Sequence, residues 1–293
     1  TSAVVHVLNR VAFGPRPGDV ARVEQMGLDA YIDQQLHPER IDDGALEARL
    51  ATFVTLNMGS SDLAEKYFLP AMEIRRSLQQ KQQTAPGPDA SGMTTAAPAD
   101  VAPGTTQAAL AALSPEDRQA VAAQRTVIAE LTQAKMLRAV DSERQLQEVL
   151  ADFWLNHFNV FVGKGHVREF LTEYDREAIR PHVLGRFRDL LGAVAHSPAM
   201  LFYLDNWQSS TPTPQPPADL VAGSGARRLT PQQRERLLSR LRPANAQAQR
   251  QARGINENYA RELMELHTLG VDGVDTQNDV IALARILTAW TID

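Results

Sequence analysis

Apolar residues recur at spacings of three and four along almost the whole chain, the period of an amphipathic helix. "AVVHVLNRVAFG" predicts a first helix closed by Gly14. "RPGDVARVEQMG" predicts a second, with Asp19 near its start and Gly27 as its C-cap, and "LDAYIDQQLHP" a third ended by Pro38. "DDGALEARLATFVTL" and "SDLAEKYFLPAMEIRRSLQQK" continue the series. Ser114, Pro115 and Glu116 form a helix start, and the pattern then runs through "FWLNHFNVF" to a break at "VGKGH". "EYDREAIRPHVLGRFRDLLGAVAHS" and "AMLFYLDN" resume it. In "TQNDVIALARILTAWTID", Val280, Leu283, Ala284, Leu287 and Trp290 share one face. No alternating pattern argues for a strand. The expected fold is all-α: one irregular multi-helix domain over residues 1–293, with two flexible low-complexity inserts at about 81–110 and 207–252. Both inserts are rich in Pro, Gly, Ala, Thr or Gln and too poor in apolar surface to offset the entropy of ordering them.

Composition narrows the function classes. At 43% hydrophobic and 22% charged, the chain is that of a globular protein, and no apolar run approaches the roughly 20 residues of a membrane span. The net charge of -5 favours solubility and by itself names no partner; nucleic acid is not expected, because the one basic segment lies in a net acidic chain. The Arg-rich stretch "RRLTPQQRERLLSRLRPANAQAQRQARG" lacks interleaved aromatics and reads as a solvated loop. Cysteine is absent, which removes disulfides, thiolate metal sites and cysteine nucleophiles. Phosphate loops, dinucleotide fingerprints, nucleophile elbows and His-Glu-x-x-His are also missing. The chain starts at Thr rather than Met, with no signal peptide, and stops soon after Ala-Trp-Thr. We expect a trimmed or cleaved piece of a longer chain.

Candidate chemistry concentrates in "GINENYARELMELHTLG", Gly254 to Gly270. Asn256 is a good N-cap, and Glu257 suits the positive end of the helix dipole. At about 100° per residue, Asn258, Glu262 and Glu265 fall on one face, and Glu257 and Arg261 are four apart. His267 leans to the apolar side with Leu263. Two readings stand. The residues form a buried polar network, every member satisfied. Or Glu262 and Glu265 are acid/base groups or ligands of a divalent metal, with Asp205 as a third ligand and His157 or His267 as acid/base.

Two further stretches contribute. In "DFWLNHFNVF", Leu146, Val149, Leu150, Phe153 and Trp154 are expected to make a buried apolar face, with His157 inside it and Asn156 at its edge. Such a wall with two polar groups also describes a small-molecule pocket. In "HSPAMLFYLDN", Asp205 and Asn206 are expected to close a turn, though they could deliver oxygens to a hard cation. The helices bearing His157, Asp205 and Glu262 are expected to converge.

"HVLNRVAFGPRPGDV", "FWLNHFNVF", "LGRFRDLLGAVAHSPAMLFYLDN", "NENYARELMELHTLGVDG" and "TQNDVIALARILTAWT" occur in that order and cover most of the chain outside the inserts. Together they resemble the bacterial family catalogued as "domain of unknown function 1800". Where that family usually has Gly before the Trp, this chain has Ala289. The resemblance implies a large, mostly helical, exported protein that continues past Thr-Ala-Trp-Thr. It also implies two partners by association: the C-terminal remainder of its own chain, and an exported protein resembling alkaline-phosphatase-type hydrolases. The expected function is thus an exported protein with a polar carboxylate pocket, either a metal-assisted hydrolase or a non-enzymatic envelope or extracellular assembly module.

Overall fold

The structure is a computed structural model that describes residues 2–84, 113–210, 254–270, 273 and 276–292. Among these the fold is all-α, with no strand. No helix of the described residues is long and apolar enough to cross a membrane. The inserts expected at about 81–110 and 207–252 lie outside the described residues except at their edges. One helix runs on to Thr84, and Asn206–Gln208 form a 3-10 turn. The Arg-rich stretch, but for Gly254, also lies outside.

The chain divides into two compact units, Thr1–Tyr203 and Leu204–Asp293. In the first, α1 (Ser2–Val11), α2 (Asp19–Met26) and α3 (Leu28–Leu36) form a corner around Val4, Leu8, Val23 and Tyr31. Gly14 and Gly27 turn the chain at φ +105° and +90°, where any Cβ would be strained. The predicted helix "DDGALEARLATFVTL" is shorter than expected: α4 covers Gly44–Leu50, and a 3-10 turn follows at Val54–Asn57. Next, α5 (Ser60–Leu63) passes through a π turn, Ala64–Phe68, into α6 (Leu69–Thr84).

The spine of this unit is α7 (Pro115–Asp141), 27 residues or roughly 40 Å long. Ser114 caps it by accepting the Asp117 N–H at 3.0 Å. The pattern that seemed continuous through "FWLNHF" is broken at Ser142, and α8 (Gln145–His157) starts afresh. Asp43 holds the break open: its carboxylate accepts the Ser142 hydroxyl at 2.6 Å and the Glu143 N–H at 3.0 Å. Gln35 spans the same gap, donating to Glu143 O and accepting from Leu146 N. After a loop, α9 (Val167–Glu173) runs into a second π turn, Tyr174–Ile179, and then come α10 (Phe187–His196) and α11 (Pro198–Tyr203).

The second unit contains α12 (Glu257–Arg261), which continues as a π turn over Glu262–Leu269, and α13 (Gln277–Ile286). Tyr259, Ala260, Val280, Ala284 and Leu287 are its buried apolar residues. Thr276 and Asp279 cap α13 reciprocally, each side chain taking the other's backbone N–H.

Candidate functional site

In the second unit the signature residues close on one another. Asn256 caps α12 by accepting the Tyr259 N–H at 3.0 Å, and its amide donates to Leu204 O at 2.7 Å. Arg261 donates to Glu265 at 2.9 Å and to the Gln277 amide oxygen at 2.7 Å. The Gln277 amide nitrogen donates in turn to Glu257 at 2.7 Å. Glu257, Gln277, Arg261 and Glu265 thus form one chain of hydrogen bonds from α12 to α13. Asn258 is exposed. Glu262 is half-buried and makes no hydrogen bond or ion pair among the described residues. Glu257, Glu262 and Glu265 are all half-buried, so burial does not single out Glu262. Glu265 lies four residues after Arg261, the ordinary helical ion-pair spacing, and takes up its guanidinium. His267 is buried, as its apolar lean suggested.

Asp205 lies on the surface at φ +59°, the left-handed conformation that Asp tolerates in turns. Asn206 points inwards and donates to the carbonyls of Leu287 (3.0 Å) and Trp290 (3.1 Å). Its role is to hold the end of α13. Among the described residues no three His, Asp or Glu side chains are grouped to hold a metal ion, so Asp205, Glu262 and Glu265 form no such group.

His157 belongs to the first unit, whereas Asp205 and Glu262 belong to the second. The apolar face expected on α8 is not its buried face. Phe153 is 55% exposed, and Leu146, Val149, Leu150 and Trp154 are half-buried. The buried residues are Gln145, Glu148 and Ala151. His157 is exposed at the end of the helix, against the rings of Phe153, Trp154 and Phe158. Asn156 is also exposed and donates to Asp152 O at 2.8 Å.

The buried polar face of α8 leads to a cleft of ≈ 340 Å³ in the first unit. Ile128, Leu131, Leu155 and Leu171 are among its apolar walls, and Asn156 lines it. Its floor is charged. Arg180 grips Glu148 through both terminal nitrogens, one at 2.9 Å, and Arg138 reaches Asp175 at 3.4 Å. The Glu148 and Arg180 side chains are 7% and 18% exposed. Burial lowers the Arg180 affinity for its proton, but the Glu148 hydrogen bonds outweigh this and the net shift is upward. Arg138 goes the other way, pulled down by burial and then by the like charge of Arg180. At the rim, Lys135 pairs with Asp152 at 2.5 Å.

A family model described as "Protein of unknown function (DUF1800)" matches residues 6–293. The chain belongs to this family. No curated protein and no solved structure matches it. In this DUF1800 chain, Glu257, Arg261 and Glu265, with Asn256 as cap, form one hydrogen-bonded set, which Asn258, Glu262, Asp205 and His157 do not join. The charged floor of Arg138, Glu148, Asp175 and Arg180 was missed. One signal was available: Glu148 and Gln145 sit three apart between apolar residues, and a carboxylate in that position needs a buried cation.

Proposed function

We propose that this DUF1800 chain is a non-enzymatic binding module of an exported protein, in which the signature helix is a structural brace. What supports the reading is the closure of the signature residues on each other. Arg261 and Gln277 take up the oxygens of Glu265 and Glu257, which a metal or a substrate would otherwise need. The cleft of the first unit is where a small ligand fits best. Its apolar walls exclude water, and its paired charges offer directional contacts. Export rests on the family resemblance.

A metal-assisted hydrolase is the second reading, favoured by Glu262, whose half-buried carboxylate has no partner among the described residues. Thermal melting of wild type, Glu262→Gln and Gln277→Ala separates the two, first with chelator and then with calcium, magnesium, manganese or zinc. The brace requires that Gln277→Ala, which cuts both tethers between α12 and α13, lowers the melting temperature, and that metals shift wild type and Glu262→Gln alike. A metal-dependent gain in wild type that disappears in Glu262→Gln would establish the hydrolase reading instead, because a ligand of the native state stabilises through its affinity.

A further inference from the structure

Three arginines from three helices, Arg75 of α6, Arg125 of α7 and Arg168 of α9, line a second cleft of the first unit, ≈ 700 Å³ in volume. No Asp or Glu lines it among the described residues. None of the three arginines makes a hydrogen bond or ion pair among those residues either. Buried carboxylates elsewhere in this unit stand beside cations. Glu148 has Arg180, Asp175 has Arg138, and Asp19 has Arg16 and Arg22. Here like charges are gathered without an answer. Burial, and then the charges of Arg168 and Arg125, pull the Arg75 guanidinium below its ordinary value.

A second observation points the same way. The Nε of Arg168 is buried with no acceptor, and the amide oxygen of Gln124, a residue 5% exposed on the same wall, is buried with no donor. A buried donor without a partner forfeits its hydration for nothing. The Gln124 amide can turn over to present its nitrogen, which makes it a further donor. Ile128, Ala129 and Val162 supply a neutral wall beside these donors.

We propose that this cleft binds the phosphoryl group of a ligand, held by the forked donors of Arg75, Arg125 and Arg168. A carboxylate brings one charge and two oxygens. A phosphomonoester brings nearly two charges and three acceptor oxygens, and a polyphosphate more, which matches three guanidinium forks better. The cleft is larger than inorganic phosphate needs, so the rest of the ligand lies along the neutral wall. This site stands apart from the charged cleft above, although both touch Ile128, Thr132 and Val162. It does not depend on the brace reading.

The test is calorimetric titration of the 293-residue chain with sodium tripolyphosphate, with ionic strength held constant by sodium chloride. Saturable binding is expected, weakened about tenfold in Arg168→Gln or Arg75→Gln, the loss of one charge-assisted contact. In anion-free buffer both variants should melt no lower than wild type, because the substitution relieves repulsion. Arg125 is exposed, so Arg125→Gln folds in any case and repeats the binding test if another variant does not. Sedimentation with phosphatidylcholine vesicles, with and without phosphatidic acid, identifies the source. Recruitment that needs phosphatidic acid and Arg168 assigns a lipid headgroup, whereas tripolyphosphate binding without recruitment assigns a soluble phosphorylated ligand. No saturable binding, or equal affinity in wild type and all three variants, would overturn the proposal.

Discussion

Removing the Glu148 carboxylate is the most severe single change the cleft floor admits. In the native protein, Arg138 and Arg180 are balanced by Glu148 and Asp175, two positive charges against two negative. Glu148→Ala leaves two against one, and Arg180 keeps its place in a site where its side chain is 18% exposed. Breaking one side of a buried pair costs about 3–5 kcal/mol, most of it the stranded charge rather than the lost attraction. For a unit of this size that is a fall of roughly 6–20 °C in melting temperature. Glu148→Gln keeps the shape and one acceptor and should cost less, about 1–3 kcal/mol. The double variant Glu148→Leu/Arg180→Met removes both charges and should recover most of the loss. Urea unfolding followed by circular dichroism at 222 nm measures all four proteins. A loss below about 1 kcal/mol for Glu148→Ala, or a double variant worse than the single, would refute the argument that a stranded cation governs the cost.

Three shorter predictions complete the set. Phe158 is fully buried and Phe153 is 55% exposed, so Phe158→Ala should cost about 3–5 kcal/mol and Phe153→Ala under about 1, read as urea midpoints. Asn206→Ala removes two hydrogen bonds at the end of α13 and should cost about 1–3 kcal/mol, with faster amide exchange confined to the second unit. Burial alone would raise the Asp19 carboxyl, but the Arg16 N–H, then the Arg16 and Arg22 side chains, outweigh it and the net shift is downward. Its contribution is therefore present above the unfolded value of about 3.9 and lost as pH falls through the lower folded value. The stability gap between wild type and Asp19→Asn should be full at neutral pH and close in strong acid, as urea midpoints across that range will report.

The sequence disclosed what depends on near neighbours. Ser114 as a cap, Gly14 and Gly27 as turns, Asn256 as the start of the signature helix and the buried face of α13 are each set within a few residues, and each was legible. The break at Ser142 was not, because the groups that hold it, Gln35 and Asp43, lie about a hundred residues upstream. The orientation of α8 was misread for the same reason. Its apolar side looked like the buried one until Arg180, 32 residues on, made Glu148 the better residue to bury. In the signature helix the contacts between the candidate residues differ from the ones helical phase suggested. Helical phase predicted Glu262 beside Asn258, and the same phase also sets Glu265 four residues after Arg261, the cation that sequence reading places opposite Glu257.

A π turn recurs: Ala64–Phe68, Tyr174–Ile179 and Glu262–Leu269 each interrupt a helix with i→i+5 bonding. Each holds one more residue than an α-helix needs to cover the same height, so the turn absorbs the extra residue and the downstream helix keeps its inward face. Deleting a single residue ahead of His267 within Glu262–Leu269 would remove the surplus itself, letting the helix relax to the ordinary repeat with its downstream face unchanged. His267 would keep its place in the interior, although the helix that carries it had lost a residue.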